Sequence, residues 1–249
     1  KNETLGSYLE KSNLSKYFIE YHIIPMVAAI WSMPFSNAKK MPLNLFLNFF
    51  INHGLFRLKN RPQWYTVTNR SRAYVKKITE KISGEIYKNY RVKNINRSND
   101  NVRILIGNEY FDYDHVVLAS HADQSLNMLE NPTQEEKNIL TKFTYVSNTA
   151  FLHTDESLMP LRKKAWSSWN SINKEGKTCI TYWLNKLQNL NTSKNYFLTL
   201  NPIEEIMNDK VIKKINFTHP YFNTENVTLQ KNLYTLQGKK RTWFCGSYF

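Results

Sequence analysis

The segment that most restricts the fold is His115-Val116-Val117-Leu118-Ala119, a nearly uninterrupted apolar run. A strand with one face in water alternates apolar and polar residues, so a continuous run predicts a strand covered on both faces. That arrangement belongs to sheets sandwiched by helices, and the rest of the chain supplies both kinds of element. Residues 4–31 read as helical, with Ser12 and Ser15 as caps, Leu14, Phe18, Ile19 and Ile23 at helical spacing, and a kink demanded at Pro25. Leu43 to Phe50 is a second helix, closed by Gly54. Trp64, Tyr65 and Val67 suggest a strand, Asn69-Arg70 a turn, and Ser71 to Ile82 a helix stopped by Ser83-Gly84. Short strands are expected at Glu85 to Tyr87, Val92 to Ile95 and Val102 to Ile106. A short helix from Asn131 through Glu136 precedes further strands at Tyr145 to His153, Ala165 to Trp169, Cys179 to Leu184, Tyr196 to Leu200 and Trp243 to Cys245. Helices mixed with two groups of strands predict an α/β protein in which one domain is inserted into another.

Composition narrows the function classes. The 249 residues, 41% hydrophobic and 22% charged, suit an ordinary globular chain of one large or two interleaved domains. The apolar run Ile23 to Trp31 falls well short of the ~20 residues that cross a bilayer. The net charge of +14 is spread along the chain with no dense basic arm, which argues against specific nucleic-acid binding and leaves weak contact with an anionic membrane surface. Cys179 and Cys245 stand alone, without zinc-site spacing or disulfide density, so no metal site is expected and a cytoplasmic setting is. Lys1 at the start, and the apolar stretch Thr242 to Phe249 at the end, read as cut points within a longer protein. None of the seven glycines forms a G-x-G-x-x-G fingerprint.

No single motif names a reaction, but an ordered set does carry a resemblance. Arg61-Pro62-Gln63-Trp64, Val116 to Gln124, Leu152-His153-Thr154-Asp155, Met159-Pro160, Ser168-Trp169-Asn170, Thr181 to Asn185, Leu187-Gln188, Thr199 to Pro202, His219-Pro220 and Trp243 to Gly246 together span nearly the whole chain. This set resembles FAD-dependent, NAD/FAD-binding oxidoreductases of the flavin-containing amine oxidase family. The resemblance implies a two-lobed α/β flavoprotein, its dinucleotide-binding lobe interrupted by a substrate lobe of mixed sheet and helices. Residues 1–60 would be a helical part of the substrate lobe, 61–122 part of the FAD lobe, 123–238 the substrate lobe again and 239–249 a return to the FAD lobe. The phosphate-binding glycine loop would precede Lys1, so the chain alone is expected to be inactive and to hold FAD weakly.

The resemblance also implies site residues. Val92, Ala119, Ser120, Gly246 and Ser247 match positions that meet FAD, largely through main-chain groups. Each has a plain alternative: Val92 as core, Ala119 as strand packing, Gly246 as a turn. The family's two glycines before the third helix are replaced by Asn69-Arg70, which puts close cofactor approach there in question. On the substrate side Trp169, Asn170, Tyr182, Trp183 and Asn185 pair indoles with carboxamides on two strands, a combination able to wall one flavin-facing cavity or equally to fill a core. His121 with Asp123, and His153 with Asp155, could pair as acid and base but are explained as well by capping and packing.

The expected reaction is hydride transfer from substrate to flavin, amine oxidase or desaturase-like. Tyr145 to Ala150 lacks the lysine common in the wider family, which favours an apolar, fatty-acyl or otherwise lipid-like small molecule. The alternative is a non-catalytic binding or scaffolding module on a degenerate flavoprotein core. A sheet joining the strands at Val92, Ala119 and Cys245, and another joining those at Thr149, Ser168 and Tyr182, are expected.

Overall fold

The computed structural model describes residues 3–174 and 177–249. Among them ten strands follow in chain order: β1 (Val92–Arg97), β2 (Val102–Ile106), β3 (Glu109–Tyr113), β4 (Val116–Leu118), β5 (Thr144–His153), β6 (Trp169–Lys174), β7 (Lys177–Trp183), β8 (Phe197–Leu200), β9 (Val211–Tyr221) and β10 (Thr242–Phe244). The protein is of mixed α/β class and forms two compact units, each built from separated stretches of chain: Lys1–Glu80 with Val146–His219, and Lys81–Tyr145 with Pro220–Phe249. The chain changes unit after Glu80, within β5 and within β9.

In the first unit, the helix Leu5–Lys11 opens on the Thr4 hydroxyl, which accepts from the Ser7 N–H at 3.2 Å, and buries Leu5 and Leu9. The kink demanded by Pro25 takes the form of a π-helical stretch, Ile19–Ile23, running into the helix Ile24–Trp31. A proline lacks the N–H for an i−4 bond and its ring crowds that carbonyl, and a widened turn relieves both. Leu43–Asn52 is helical, inserts Phe46 and Phe50 into the core, and is followed by Gly54 at φ +63°. The strands expected at Trp64 to Val67 and at Glu85 to Tyr87 are absent: β-favouring side chains make no ladder without a partner strand, and Trp64, Tyr65 and Tyr87 are exposed.

The helix Arg70–Thr79 follows a turn in which Asn69 (φ +63°) and Arg70 (φ +65°) are both left-handed. Asn tolerates that region through local hydrogen bonding, whereas an arginine there costs about 1 to 2 kcal/mol.

Five strands of this unit form one sheet in the order β6-β7-β8-β5-β9. It joins the segments around Thr149, Ser168 and Tyr182, as expected. Strand β9 went unanticipated because it is an edge strand: Lys213, Lys214 and Ile215 are exposed, so the apolar alternation of a half-buried strand is missing. Strand β6 begins only at Trp169, because Lys163–Ala165 forms a 3₁₀ turn that sends the Trp166 indole N–H to the Pro160 carbonyl at 2.7 Å.

The second unit holds two small sheets, the antiparallel meander β1-β2-β3 and the parallel pair β10-β4, with Thr242, Trp243 and Phe244 opposite Val116, Val117 and Leu118. The expected single sheet through Val92, Ala119 and Cys245 is thereby corrected. Strands joined by short turns pair with each other, and β1 is satisfied by β2, leaving β4 to a strand more than 120 residues away in the chain. The coverage of β4 is also corrected: Val116 and Leu118 are buried, but Val117 is 63% exposed and Trp243 on its neighbour 43%. The core beneath them gathers Ile95, Val102, Leu118, Leu140, Leu233 and Phe244.

A buried charge pair ties this unit together. The Arg97 guanidinium donates to both Glu136 carboxylate oxygens at 2.6 and 2.9 Å, to the Thr242 hydroxyl at 3.1 Å and to the Asn131 carbonyl at 3.1 Å. Glu136 also accepts from the Thr133 N–H, completing a capping box on the helix Gln134–Leu140. Burial alone would raise the Glu136 carboxyl, but the Arg97 hydrogen bonds and charge outweigh it and hold the group below the usual carboxylate range.

Candidate functional site

Because β4 and β10 are parallel, their carboxyl ends lie side by side, and this is the end at which dinucleotide-binding sheets hold their ligands. Ala119 and Ser120 follow one strand, Cys245, Gly246 and Ser247 the other. The Cys245 N–H donates to the Leu118 carbonyl at 2.9 Å, extending the pairing past the last ladder residue. Gly246 has φ +150°, and a Cβ there would stand 2.9 Å from the Tyr248 ring and 3.4 Å from the Ser120 carbonyl oxygen. Only glycine fits without strain, which leaves the main chain uncovered at this end of the pair. Tyr248 is fully buried behind it. Burial pushes its phenol up to about 12, and its hydroxyl points toward Ser125 without closing a hydrogen bond.

Four of the five FAD-contact candidates, Ala119, Ser120, Gly246 and Ser247, thus gather at one sheet end, and Val92 stands apart. It sits at the start of β1 opposite Ile106, partly buried against the core of the same unit. A narrow backbone passage at the carboxyl ends of parallel strands suits the cofactor, whose contacts in such folds are largely main-chain.

The first unit contains a cavity of about 650 Å³ between the end of the helix Ile24–Trp31 and one face of the five-stranded sheet. Its walls include Ala28, Met33 and Phe35 from the helical side and Ile180, Leu200 and Ile203 from the sheet side. No charged side chain lines it. Its polar groups are Ser32, Ser36 and Ser147 and a linked carboxamide pair: Asn201 donates to the Asn148 oxygen at 2.8 Å, and Asn148 donates to the Val146 carbonyl at 3.1 Å. The Thr149 N–H donates to the Asn201 side-chain oxygen at 2.9 Å, which holds Asn201 at φ +48°.

Four of the five substrate-side candidates lie on this sheet and divide between its two faces, and Asn185 follows in the short helix Leu184–Leu187. Trp169 and Tyr182 are cross-strand partners with rings 5.3 Å apart, on the face that carries Ile180 and Leu200 toward the cavity. The Tyr182 hydroxyl reaches the Ala29 carbonyl at 3.4 Å, and burial raises its phenol. Trp183, the next residue along β7, points the other way and packs edge-on against Trp166 at 5.3 Å beside Phe197 and Met159. The expected shared cavity for Trp169 and Trp183 is corrected on that ground, since successive strand residues face opposite sides.

Asn170 and Asn185 are occupied locally. Asn170 accepts from the Ser167 N–H at 3.0 Å and donates to the Ser167 and Thr181 carbonyls at 2.7 and 3.2 Å. Asn185 donates to the Lys194 carbonyl and accepts from the Tyr196 N–H, both at 2.8 Å, bracing the connection from β7 to β8.

On the face opposite the cavity runs a buried row of polar groups. His153 Nδ1 accepts from the Asp155 N–H at 3.1 Å, so its proton sits on Nε2 and is donated to the Thr199 hydroxyl at 2.7 Å. Thr199 in turn meets the Thr181 hydroxyl at 2.8 Å. Burial depresses the His153 pKa more than Asp155 restores it, which keeps the ring neutral. Burial would raise the Asp155 carboxyl, but the N–H groups of Ser157 and Met207, and Lys210, hold it below the usual range. His153 and Asp155 are therefore joined by a main-chain bond, not as a proton-transfer pair.

The cavity residues Asn148 and Asn201 escaped notice as site residues. The available signal was an asparagine directly after the strand Thr199–Leu200 and before Pro202, and another inside an otherwise apolar strand. Neither indicates a cavity until β5 and β8 are paired. Among the described residues no helix is long and apolar enough to cross a membrane.

No curated protein matches the chain. Solved structures do. Putrescine oxidase bound to putrescine aligns with TM-score 0.65 at 8% identity, covering 98% of this chain and 62% of that one. Cyclohexylamine oxidase from Brevibacterium oxydans IH-35A aligns with TM-score 0.63 at 9% identity, covering 99% and 62%. A CLA-producing fatty acid isomerase from P. acnes aligns with TM-score 0.51 at 12% identity, covering 71% and 47%. At such identities the likeness establishes the fold, and the chain spans about 62% of the length of the two oxidases. The profile described as "Flavin containing amine oxidoreductase" matches residues 35–196, more than half of the sequence. With its fold and its sequence pattern in agreement, the chain belongs to the flavin-containing amine oxidoreductase family, whose cofactor is FAD.

Proposed function

We propose that this chain is the larger part of an FAD-dependent oxidoreductase that takes a hydride from an uncharged, apolar, acyl-like substrate. The observation that carries the reading is the cavity of about 650 Å³ whose walls are largely apolar, with three serines and two linked carboxamides as polar groups and no charged side chain. An ammonium-bearing substrate entering it would lose its hydration with no carboxylate in return, a cost of several kcal/mol. An alkyl chain gains about 0.8 kcal/mol for each methylene buried there.

Flavin supplies the two-electron acceptor. Ala119, Ser120, Gly246 and Ser247 would hold it along the main chain at the carboxyl ends of β4 and β10. Ile180, Leu200 and Phe35 exclude water from the substrate, while Asn148 and Asn201 orient a carbonyl or hydroxyl by hydrogen bonding. Neither carboxamide can accept a proton at neutral pH, and Tyr145 to Ala150 contains no lysine. The residues present thus position a substrate and do little acid or base work, so the proton lost together with the hydride would be taken by water at the cavity opening. The fatty acid isomerase among the structural neighbours is consistent with a substrate of this kind in the same fold.

The test is anaerobic mixing of the full-length flavoprotein with medium-chain acyl compounds and, separately, with primary amines. Bleaching of the flavin by the acyl compounds, weakened by Ile180→Asp, is the expected result. Bleaching by amines alone would overturn the substrate reading, and a full-length protein that carries no flavin would overturn the enzyme.

A further inference from the structure

We infer that Phe35 sets the chain length that the apolar cavity accepts, as the partition between that cavity and a second one of about 770 Å³ in the same unit. The inference rests on the reading of the apolar cavity as the seat of an acyl-like chain and names the residue that limits its length. Phe35 and Ser36 line both cavities, and no other described residue does. The two chambers differ in chemistry. The inner one has no charged side chain, whereas the outer one brings the exposed Glu10, Glu20, Lys39 and Lys40 around the buried Ile24. Ser36 is short and exposed, so the half-buried ring of Phe35 is the apolar part of the division.

The backbone fixes that ring from both sides. The helix Ile24–Trp31 ends on Ser32, whose left-handed conformation (φ +48°) turns the chain, and Met33 is buried. Pro34 is extended, and its carbonyl accepts from the Asn37 and Ala38 N–H groups at 3.0 Å, so a new helix, Phe35–Lys39, starts at Phe35 itself. At the far end of that helix a Cβ on Gly6 would stand 2.9 Å from the Lys39 carbonyl oxygen, so the helix Leu5–Lys11 lies directly against it, and Ala38 is fully buried. Anchored at both ends, the short helix holds Phe35 as a fixed wall. An alkyl chain extended through the inner cavity stops at its ring, and the charges of the outer cavity are kept from the apolar chamber.

The test is calorimetric titration of the full-length flavoprotein with straight-chain 1-alkanols from hexanol to dodecanol, for the wild type and for Phe35→Ala, Phe35→Leu and Phe35→Trp. In the wild type each added methylene is expected to tighten binding about fourfold until the chain meets Phe35, where the gain stops. Phe35→Ala should move that stop to longer chains, so that the longest alkanols bind at least about tenfold tighter than to the wild type while the shortest bind unchanged. Phe35→Trp should move it to shorter chains. Phe35→Leu, which the packing bears more easily, should act as Phe35→Ala does but less, and it decides the matter if Phe35→Ala fails to fold. A merely structural phenylalanine would instead weaken short and long chains alike. That result, a stop at the same length in every variant, or a gain that never stops in the wild type overturns the inference and leaves the acyl reading standing. A wild type that binds none of the alkanols overturns the acyl reading, and the inference with it.

Discussion

A buried charge pair of the second unit contrasts with a neutral buried row of the first, whose own buried carboxylate, Asp155, is held mainly by main-chain N–H groups. In the second, one full charge pair, Arg97 with Glu136, joins β1, the helix Gln134–Leu140 and β10, segments 39 and 145 residues apart in sequence. In the first, the buried row His153, Thr199 and Thr181 is neutral and runs across strands that ladder pairing already holds in register. A buried charge needs its partner to be buried at all, so it specifies which distant segments meet. A neutral row adds hydrogen bonds to an arrangement set by other means.

The sharpest break of this contrast is Arg97→Met. Leaving the Glu136 carboxylate buried without its guanidinium is expected to cost about 3 to 5 kcal/mol, seen as a lowered urea midpoint. The double variant Arg97→Met with Glu136→Leu should recover much of that loss. If the single and double variants are equally damaged, the pair acts through packing alone.

Cutting the neutral row with Thr199→Val should cost less, about 1 to 3 kcal/mol, because two hydroxyl-mediated bonds are lost but no charge is stranded. A loss as large as that of Arg97→Met would erase the distinction between the units. The row also makes the first unit sensitive to pH. The folded-state pKa of His153 is depressed, so between the folded value and the unfolded value near 6.5 the unfolded chain binds more protons. Stability is full above the unfolded value and falls as pH drops through it toward the folded pKa, by at most ~1.4 kcal/mol per pH unit. His153→Gln should flatten that part of the stability profile, and an unchanged slope would assign it to other groups. The smallest effect is expected from Thr133→Ala, which removes the helix cap beside the charge pair at ~1 kcal/mol. A cost above that of Thr199→Val would show that Thr133 is needed to hold Glu136 in place.

Local chemistry was legible in the residues themselves. Pro25 announced a disturbed helix and Gly54 the end of another, because a missing N–H and a positive φ are properties of single residues. The apolar run at Val116 to Leu118 announced a strand, and the ordered motifs carried the family and its cofactor. The gathering of Ala119, Ser120, Gly246 and Ser247 at one sheet end follows from their places just past two strands once those strands pair in parallel. The substrate side was not legible. Trp169 and Trp183 look equivalent in sequence, each followed or accompanied by asparagine, yet the register of β6 on β7 puts them on opposite faces.

Strand β9 shows the same limit, as an edge strand bears no burial pattern to read. What the sequence by itself determined is therefore most of the elements, several of their breaks and the family. What only the tertiary structure decided is which strands pair, which faces look into the cavity, and that Asn148 and Asn201 meet there while Asn170 and Asn185 are spent on their own loops. The physical reason is that capping, turns and periodicity act over a few residues, whereas a cavity wall is made by hydrogen-bond registers between strands tens of residues apart, which no local pattern encodes.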